Sequence, residues 1–328
     1  MASCYERVVS HGVMKPFDEI FEPCILGQDK DFYFVFKPAG IDSVPIESAA
    51  TSSKKPSASI DARAPRHDLV TWLAEQKPGI APLPSEIPSS LGLLAHRYER
   101  ELGLVSRLDN PTSGLVLFAR TFDSFVAFVR AQQEDKVVKR YRLAALPAAI
   151  PSSCESGSSA FVPGSMPAIF LPERDFLENA LQVAESTGSP GDQFPKFAVS
   201  SRFRSYGRRG AQVACILPEL ALKTKKRITK EVYTTELLPR GLFRQFHALE
   251  LDAQIHSGFR HQIRVHLAWA GFPIIGDSVY CSSLEQVQQD RESTMTERLL
   301  LESYEVCIAP HRAPRSPWPD GFYYSIYD

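Results

Sequence analysis

The stretch Asp109-Asn110-Pro111-Thr112-Ser113-Gly114 divides two apolar runs, Leu102–Leu108 and Leu115–Ala119. Pro111 locks its own φ and has no amide proton, and Gly114 admits backbone angles closed to other residues. Neither a helix nor a central strand can run through such a segment, which predicts strand, tight polar turn, strand. Elsewhere, Phe32–Phe36 (FYFVF), bounded by Asp31 and by Lys37-Pro38-Ala39-Gly40, predicts a buried strand ending in a turn. Asp68 starts a short helix through Leu73, stopped by Pro78-Gly79. Thr121 caps a helix with Phe122, Phe125, Val126 and Val129 on one face. Val137–Leu143 predicts a strand on which Lys139 and Tyr141 point the same way, because strand side chains alternate. Further strands are expected at Val232–Leu238, Phe246–Ile255 and the terminal FYYSIYD from Phe322. Gly258 opens a turn into a helix from about Gln262, with Ile263, His266, Leu267 and Ala270 on its apolar face and Gly271 and Pro273 at its end. Short strands with helices between them, and no regular βαβ alternation, predict an α+β fold.

The intervening segments are less informative. Residues 47–66 are rich in Ser, Ala and Pro and predict a loop, and residues 283–298 predict a polar surface helix. Residues 145–195 are Pro, Ser and Gly rich with one helix near Asp175–Glu185, as an insertion would be. The chain has 328 residues, of which 44% are apolar and 23% charged, so a sizeable core is expected and global disorder is not. The opening MASCYERVVSHGVMKPF lacks the apolar run of a signal peptide, and no stretch is long and apolar enough to cross a bilayer. The six cysteines are dispersed without a CxxC, which favours reduced thiols in a cytoplasmic protein over a zinc ribbon or a disulfide scaffold.

A formal net charge of −1 argues, taken alone, against nucleic-acid binding. The distribution argues the other way. Between Lys196 and Lys230 stand ten basic residues, Arg208, Arg209, Lys225 and Lys226 among them, and Glu219 is the only acid, so the remainder is acidic on balance. Those four residues are candidates for gripping a phosphate backbone; a solvated basic loop is the plainer reading.

Two constellations carry chemistry. On the expected strand end, Arg107 and Asp109 face the same side, with hydroxyls at Thr112 and Ser113 nearby. An aspartate before Asn-Pro is by itself an ordinary turn residue, so this motif alone leaves both readings open. Arg264 lies in the first turn of its helix, where a cation opposes the helix dipole at roughly a few tenths of a kcal/mol. A carboxylate partner would offset that, and Asp109 is a candidate; a solvent-exposed arginine is the alternative. His256, His261 and His266 recur every five residues, a spacing that suits metal binding on neither strand nor helix, so no metal is expected and His266 reads as a hydrogen-bonded core histidine. A metal-dependent hydrolase using these histidines is the competing view. No P-loop, GxGxxG or GxSxG occurs.

Four blocks, in order, resemble the RluA-type RNA pseudouridine synthases. They are Phe36-Lys37-Pro38-Ala39-Gly40, Arg107-Leu108-Asp109-Asn110-Pro111-Thr112-Ser113-Gly114-Leu115, Lys139-Arg140-Tyr141, and His261-Gln262-Ile263-Arg264-Val265-His266-Leu267 with Gly271, Pro273, Ile274, Gly276, Asp277 and Tyr280. Two departures stand out: Ser106 where the family usually has histidine, and Gly258-Phe259-Arg260 where it usually has Gly-Arg-Thr. The resemblance implies one catalytic domain over residues 1–328, with a mixed, largely antiparallel central sheet flanked by helices and loops, an insertion at about 145–228, and no N-terminal S4 domain. It implies isomerisation of uridine to pseudouridine in ribosomal or transfer RNA, with no cofactor. Asp109 is then the catalytic carboxylate, Arg264 its counter-charge, and Tyr141 the ring that stacks on the uracil and takes part in proton removal. Ile263 or Val265 supports the base, and Arg107 and Lys139 contact substrate. The alternative within the same fold is an RNA-binding protein that has lost catalysis, which the departures at Ser106 and Phe259 motivate.

Overall fold

Asp29 turns the chain back on itself. Its Oδ1 accepts from the amides of Asp31 (2.8 Å) and Phe32 (2.7 Å), which pairs β1 (Cys24–Gln28) antiparallel to β2 (Phe32–Lys37). The computed structural model describes residues 22–45, 68–76, 78–147, 172–188, 194–206, 210–217, 228–280, 298–308 and 322–325. They fall into two compact units, one built on Asp18–Arg130 and the other on Ala131–Pro314 with the terminal Trp318–Asp328.

In the first unit β2 pairs antiparallel with β3 (Ser113–Ala119), in a register that sets Phe36 opposite Leu115 and Lys37 opposite Gly114. Strand alternation splits the β2 side chains between two faces. Tyr33 and Val35 join Leu69, Val70 and Leu73 of α1 (Leu69–Glu75) and Val116 and Phe118 of β3. After α2 (Gly92–Arg100) comes α3 (Phe122–Gln133), whose Phe128 meets Phe32 edge-on at 5.8 Å. Every residue of β2 is therefore buried. The expected caps are present: Asp68 accepts from Thr71 N at 2.9 Å, and Thr121 Oγ1 from Ser124 N at 3.1 Å.

The strand expected at Leu102–Leu108 does not form as such. Leu102 and Gly103 both adopt positive φ (48° and 73°), only Leu104 makes a bridge, to Phe118, and residues 105–109 are irregular. A Cβ on Gly103 would collide with the Ala119 carbonyl. The apolar run is buried as predicted at Leu104 and Val105, but apolarity reports burial and not backbone conformation. Without a strand there, side-chain alternation does not set Arg107 and Asp109 on one face.

The second unit is an antiparallel sheet in the order β10 (Phe322–Ser325), β9 (Leu301–Ile308), β4 (Val137–Ala145), β8 (Ala248–Ile255), β7 (Tyr233–Phe243), β5 (Phe197–Tyr206) and β6 (Gln212–Ile216). Helix α4 (Pro172–Thr187) packs on β7 and β8, and α5 (Gln262–Trp269) on β5, β6 and β7. The region expected to be an insertion thus supplies α4, β5 and β6. On one face charged residues form a ladder across strands: Lys196–Glu236, Arg240–Asp252–Arg142–Glu250 and Arg140–Glu305. Both units are α+β with antiparallel strands and flanking helices, the fold class expected. The loop at 47–66 and nearly all of the helix expected at 283–298 lie outside the described residues. No helix among the described residues is long and apolar enough to cross a membrane.

Candidate active site

In the first unit, two sequence blocks some seventy residues apart are stitched into one structure by a buried lysine. Lys37 ends β2 with no exposed surface, and its ammonium donates to the carbonyls of Pro38 (3.0 Å), Ile41 (2.8 Å) and Asn110 (3.0 Å). Three carbonyls match the three ammonium protons. The same turn holds the Asp109 loop at other points. Gly40 N donates to Asn110 O (2.9 Å), Asn110 Nδ2 to Asp42 Oδ1 (2.9 Å), and Ser43 Oγ to Leu108 O (2.8 Å) while accepting from Leu108 N (3.1 Å). The loop closes on itself through Thr112 N to Asp109 O at 3.1 Å. Burial lowers the Lys37 pKa from 10.5 to about 7, against the negative charges of Asp42 and Asp109, which raise it. Asp109 is therefore within the electrostatic reach of a fixed cation.

Arg107 turns to Glu101, whose side chain is 1% exposed and is also ion-paired with Arg97 (3.3 Å) and Arg100 (3.0 Å). Burial pushes the Glu101 carboxyl up, but the hydrogen bonds of Arg107 and Arg100 and the charges of Arg107 and Arg97 outweigh it and hold the pKa below the usual range. Arg107 keeps 47% of its side chain exposed. One end of it is anchored to Glu101.

In the second unit Lys139 and Tyr141 lie on the buried face of β4, each 6% exposed, as the alternation predicted. Arg264, 2% exposed, is not the solvent arginine of the alternative reading. Its Nε and Nη2 donate to Asp277 Oδ2 and Oδ1, both at 2.8 Å, in a bidentate pair. On this edge of the guanidinium the carboxylate partner is Asp277. Asp277 Oδ1 also accepts from Val279 N (2.9 Å) and Tyr280 N (3.1 Å). Ile263 and Val265 flank Arg264 and are buried, Val265 completely. Two residues apart on a helix, they point about 200° from each other, so one base can rest on only one of them.

The three histidines occupy separate settings. His256 Nδ1 meets Asp135 O (3.0 Å), His261 Nδ1 meets Tyr280 Oη (2.8 Å), and His266 is fully buried between Ser201 Oγ (2.9 Å) and Thr235 Oγ1 (2.8 Å). Burial lowers the His266 pKa to about 3, so it is the neutral, hydrogen-bonded core histidine anticipated. Among the described residues no cluster of His, Cys, Asp and Glu is placed to hold a metal ion.

Of the basic segment, Lys196 pairs with Glu236, and Arg202 donates to the carbonyls of Thr229 (3.1 Å) and Lys230. Arg208, Arg209, Lys225 and Lys226 lie outside the described residues. Phe259, at one family departure, stacks on Phe203 of β5 with ring centroids 4.9 Å apart and planes 14° apart, and touches Tyr233 of β7 at 5.3 Å. The aromatic ring is thereby built into the turn before α5. Lys37, Glu101, Asp277 and Tyr280 carry no single-residue signal of function in the sequence. Three of them stood inside the matched blocks; Glu101 had no signal, because nothing local marks it as buried.

The family described as RNA pseudouridylate synthase matches residues 31–269. Among solved structures, human RNA pseudouridylate synthase domain containing 4 aligns over 92% of this chain and 87% of its own, at 14% identity and a TM-score of 0.43. Human RNA pseudouridylate synthase domain containing 1 aligns over 95% and 92%, at 14% identity and a TM-score of 0.43. No curated protein matches. With the greater part of its length matched, the chain belongs to the RNA pseudouridylate synthase family. It is an isomerase of RNA modification, a pseudouridine synthase.

Proposed function

We propose that this enzyme isomerises uridine in ribosomal or transfer RNA, with Asp109 as the catalytic carboxylate and no cofactor. The observation that carries the reading is the Asp109 loop bolted to the 37–43 turn around the buried cation of Lys37. Lys37 in its charged form stands within electrostatic reach of the carboxylate that the chemistry requires. Asp109 enables cleavage of the C1′–N1 bond of a uridine drawn out of its stack. The freed uracil turns, a C1′–C5 bond forms, the C5 proton leaves and N1 takes a proton. Tyr141 stacks on the uracil and takes part in removal of the C5 proton, Ile263 or Val265 supports the base, and Arg107 and Lys139 hold the flanking substrate. Arg264, two of whose five N–H donors hold Asp277, supplies positive charge to the reaction. The direct test is release of tritium from transcripts carrying uridine labelled at C5, with the modified positions mapped in RNA from cells lacking the gene. Retention of all tritium by ribosomal and transfer RNA would overturn the assignment.

Lys37 makes the reaction pH-dependent. Its folded pKa of about 7 lies below the ordinary 10.5, so between these values the unfolded chain binds the extra proton and the lysine's contribution to stability rises with pH. Activity runs oppositely, since deprotonation removes both the counter-charge of Asp109 and one of the three carbonyl bonds. The expected kcat profile declines above pH ~7, while stability toward urea increases over the same interval. Lys37→Met should lower kcat and abolish the alkaline decline; an unchanged decline in that variant would place it elsewhere.

Arg208, Arg209, Lys225 and Lys226 grip the RNA backbone outside the reacting pocket. Each phosphate neutralised releases counterion, so replacing all four with serine should weaken RNA binding and reduce the salt slope by up to about 4. Turnover at saturating RNA should stay near the parent value. Equal affinity and equal slope in the quadruple variant would make the segment a solvated loop.

A further inference from the structure

Arg264 is fixed along its edge by Asp277, but a planar guanidinium also has two faces, and one of them is covered. The Tyr280 ring lies 5.3 Å from Arg264 Cζ, and Tyr280 is 8% exposed. Its phenol oxygen is held from two directions. Val213 N donates to it at 2.9 Å, and His261 Nδ1 lies 2.8 Å away. The oxygen accepts from Val213 and shares a second hydrogen bond with His261, and burial, the dominant influence, pushes the Tyr280 pKa upward and keeps the phenol protonated. Val213 belongs to β6, the edge strand beside β5, and an inward amide on such an edge needs a partner. His261 is the residue before α5, with φ of 59° and no side-chain cap to the helix. The phenol therefore joins an edge strand to the start of the helix that carries Arg264, while the ring rests on the guanidinium. The Tyr280 amide completes the circle by donating to the Asp277 carboxylate that holds the arginine's edge.

We propose that Tyr280 is a positioning residue for the reaction: through its hydroxyl it locks the N-terminus of α5 to β6, and through its ring it sets the plane of Arg264. This rests on the reading that Arg264 takes part in catalysis. Ring, hydroxyl and amide of Tyr280 are all engaged within the protein, so it acts on turnover and not on binding.

The test uses the full chain with Tyr280→Phe and Tyr280→Leu. Tyr280→Phe keeps the ring and removes both hydrogen bonds, to Val213 and to His261; its kcat is expected about tenfold lower with KM unchanged. Tyr280→Leu removes both restraints and is expected to lose about a hundredfold. The second readout is the Arg264 Nε–H proton resonance, assigned by its loss in Arg264→Lys. Ring shielding keeps its shift in Tyr280→Phe, with faster exchange against solvent, and the shift moves in Tyr280→Leu. Parent-like kcat in both variants, a rise in KM in place of a fall in kcat, or a resonance unmoved in Tyr280→Leu would each overturn the proposal. If the parent chain converts no uridine, the assignment of Arg264 to catalysis fails, while the resonance still decides whether Tyr280 orients it.

Discussion

Asp109→Asn is expected to abolish pseudouridine formation, with turnover reduced by more than about 10⁴-fold. Asparagine keeps the size of the side chain, and the hydrogen bond that closes the loop, Thr112 N to Asp109 O, is made by the backbone and survives. The negative charge is lost. The remaining supports, Lys37 to Asn110 O and Ser43 to Leu108 O, do not involve the carboxylate. Circular dichroism and thermal stability should therefore match the parent to within about 1 kcal/mol. The loss of a negative charge near Lys37 should lower that lysine's pKa further, since Asp109 is one of the groups raising it. Substantial product from this variant would sink the mechanism, because no other carboxylate is proposed to reach C1′.

The second large effect is expected at Arg264. Arg264→Lys retains the charge but cannot reproduce the two parallel bonds to Asp277, and an ammonium has no flat face to lay against Tyr280. Turnover should fall by about 10²-fold or more, and stability by about 2–4 kcal/mol, because a buried carboxylate is left poorly paired. The double variant Arg264→Gln with Asp277→Asn separates the two consequences. It removes both charges together, so stability should recover toward the parent relative to Arg264→Gln alone, while activity should not. Turnover of Arg264→Lys within about threefold of the parent would show that the arginine's plane is irrelevant to the chemistry.

Local chemistry is what made much of this chain readable. Caps at Asp68 and Thr121, the alternation that buries Lys139 and Tyr141 together, the Gly271 stop after α5 and the neutral His266 all depend on residues close in sequence or on a face with one period. The failures share a different cause. Leu102–Leu108 has the composition of a strand, but Gly103 is pressed against Ala119 and the backbone turns. Strand β9 went unseen because Glu302 and Glu305 look like solvent residues; both are buried in ion pairs with Arg298 and Arg140. Strands β5 and β6 fall in a Gly- and Arg-rich region whose pairing partner, β7, lies beyond it in sequence.

The same division separates residue identity from residue state. The blocks around Lys37, Asp109, Tyr141 and Arg264 were sufficient to indicate the kind of reaction, since the residue types a reaction needs are covalent facts of the chain. The charge balance at those residues was not among those facts. Nothing in a Lys-Pro-Ala-Gly segment says that the lysine has no exposed surface and donates to a carbonyl at residue 110, and nothing near Arg264 says that Asp277 takes its edge and Tyr280 its face. Desolvation and pairing energies depend on which groups surround a charge once the chain has closed over it, and those neighbours come from segments distant in sequence. Residue type and spacing determined what chemistry was available; only the tertiary structure decided which charges are buried, which are paired and which are held in one plane.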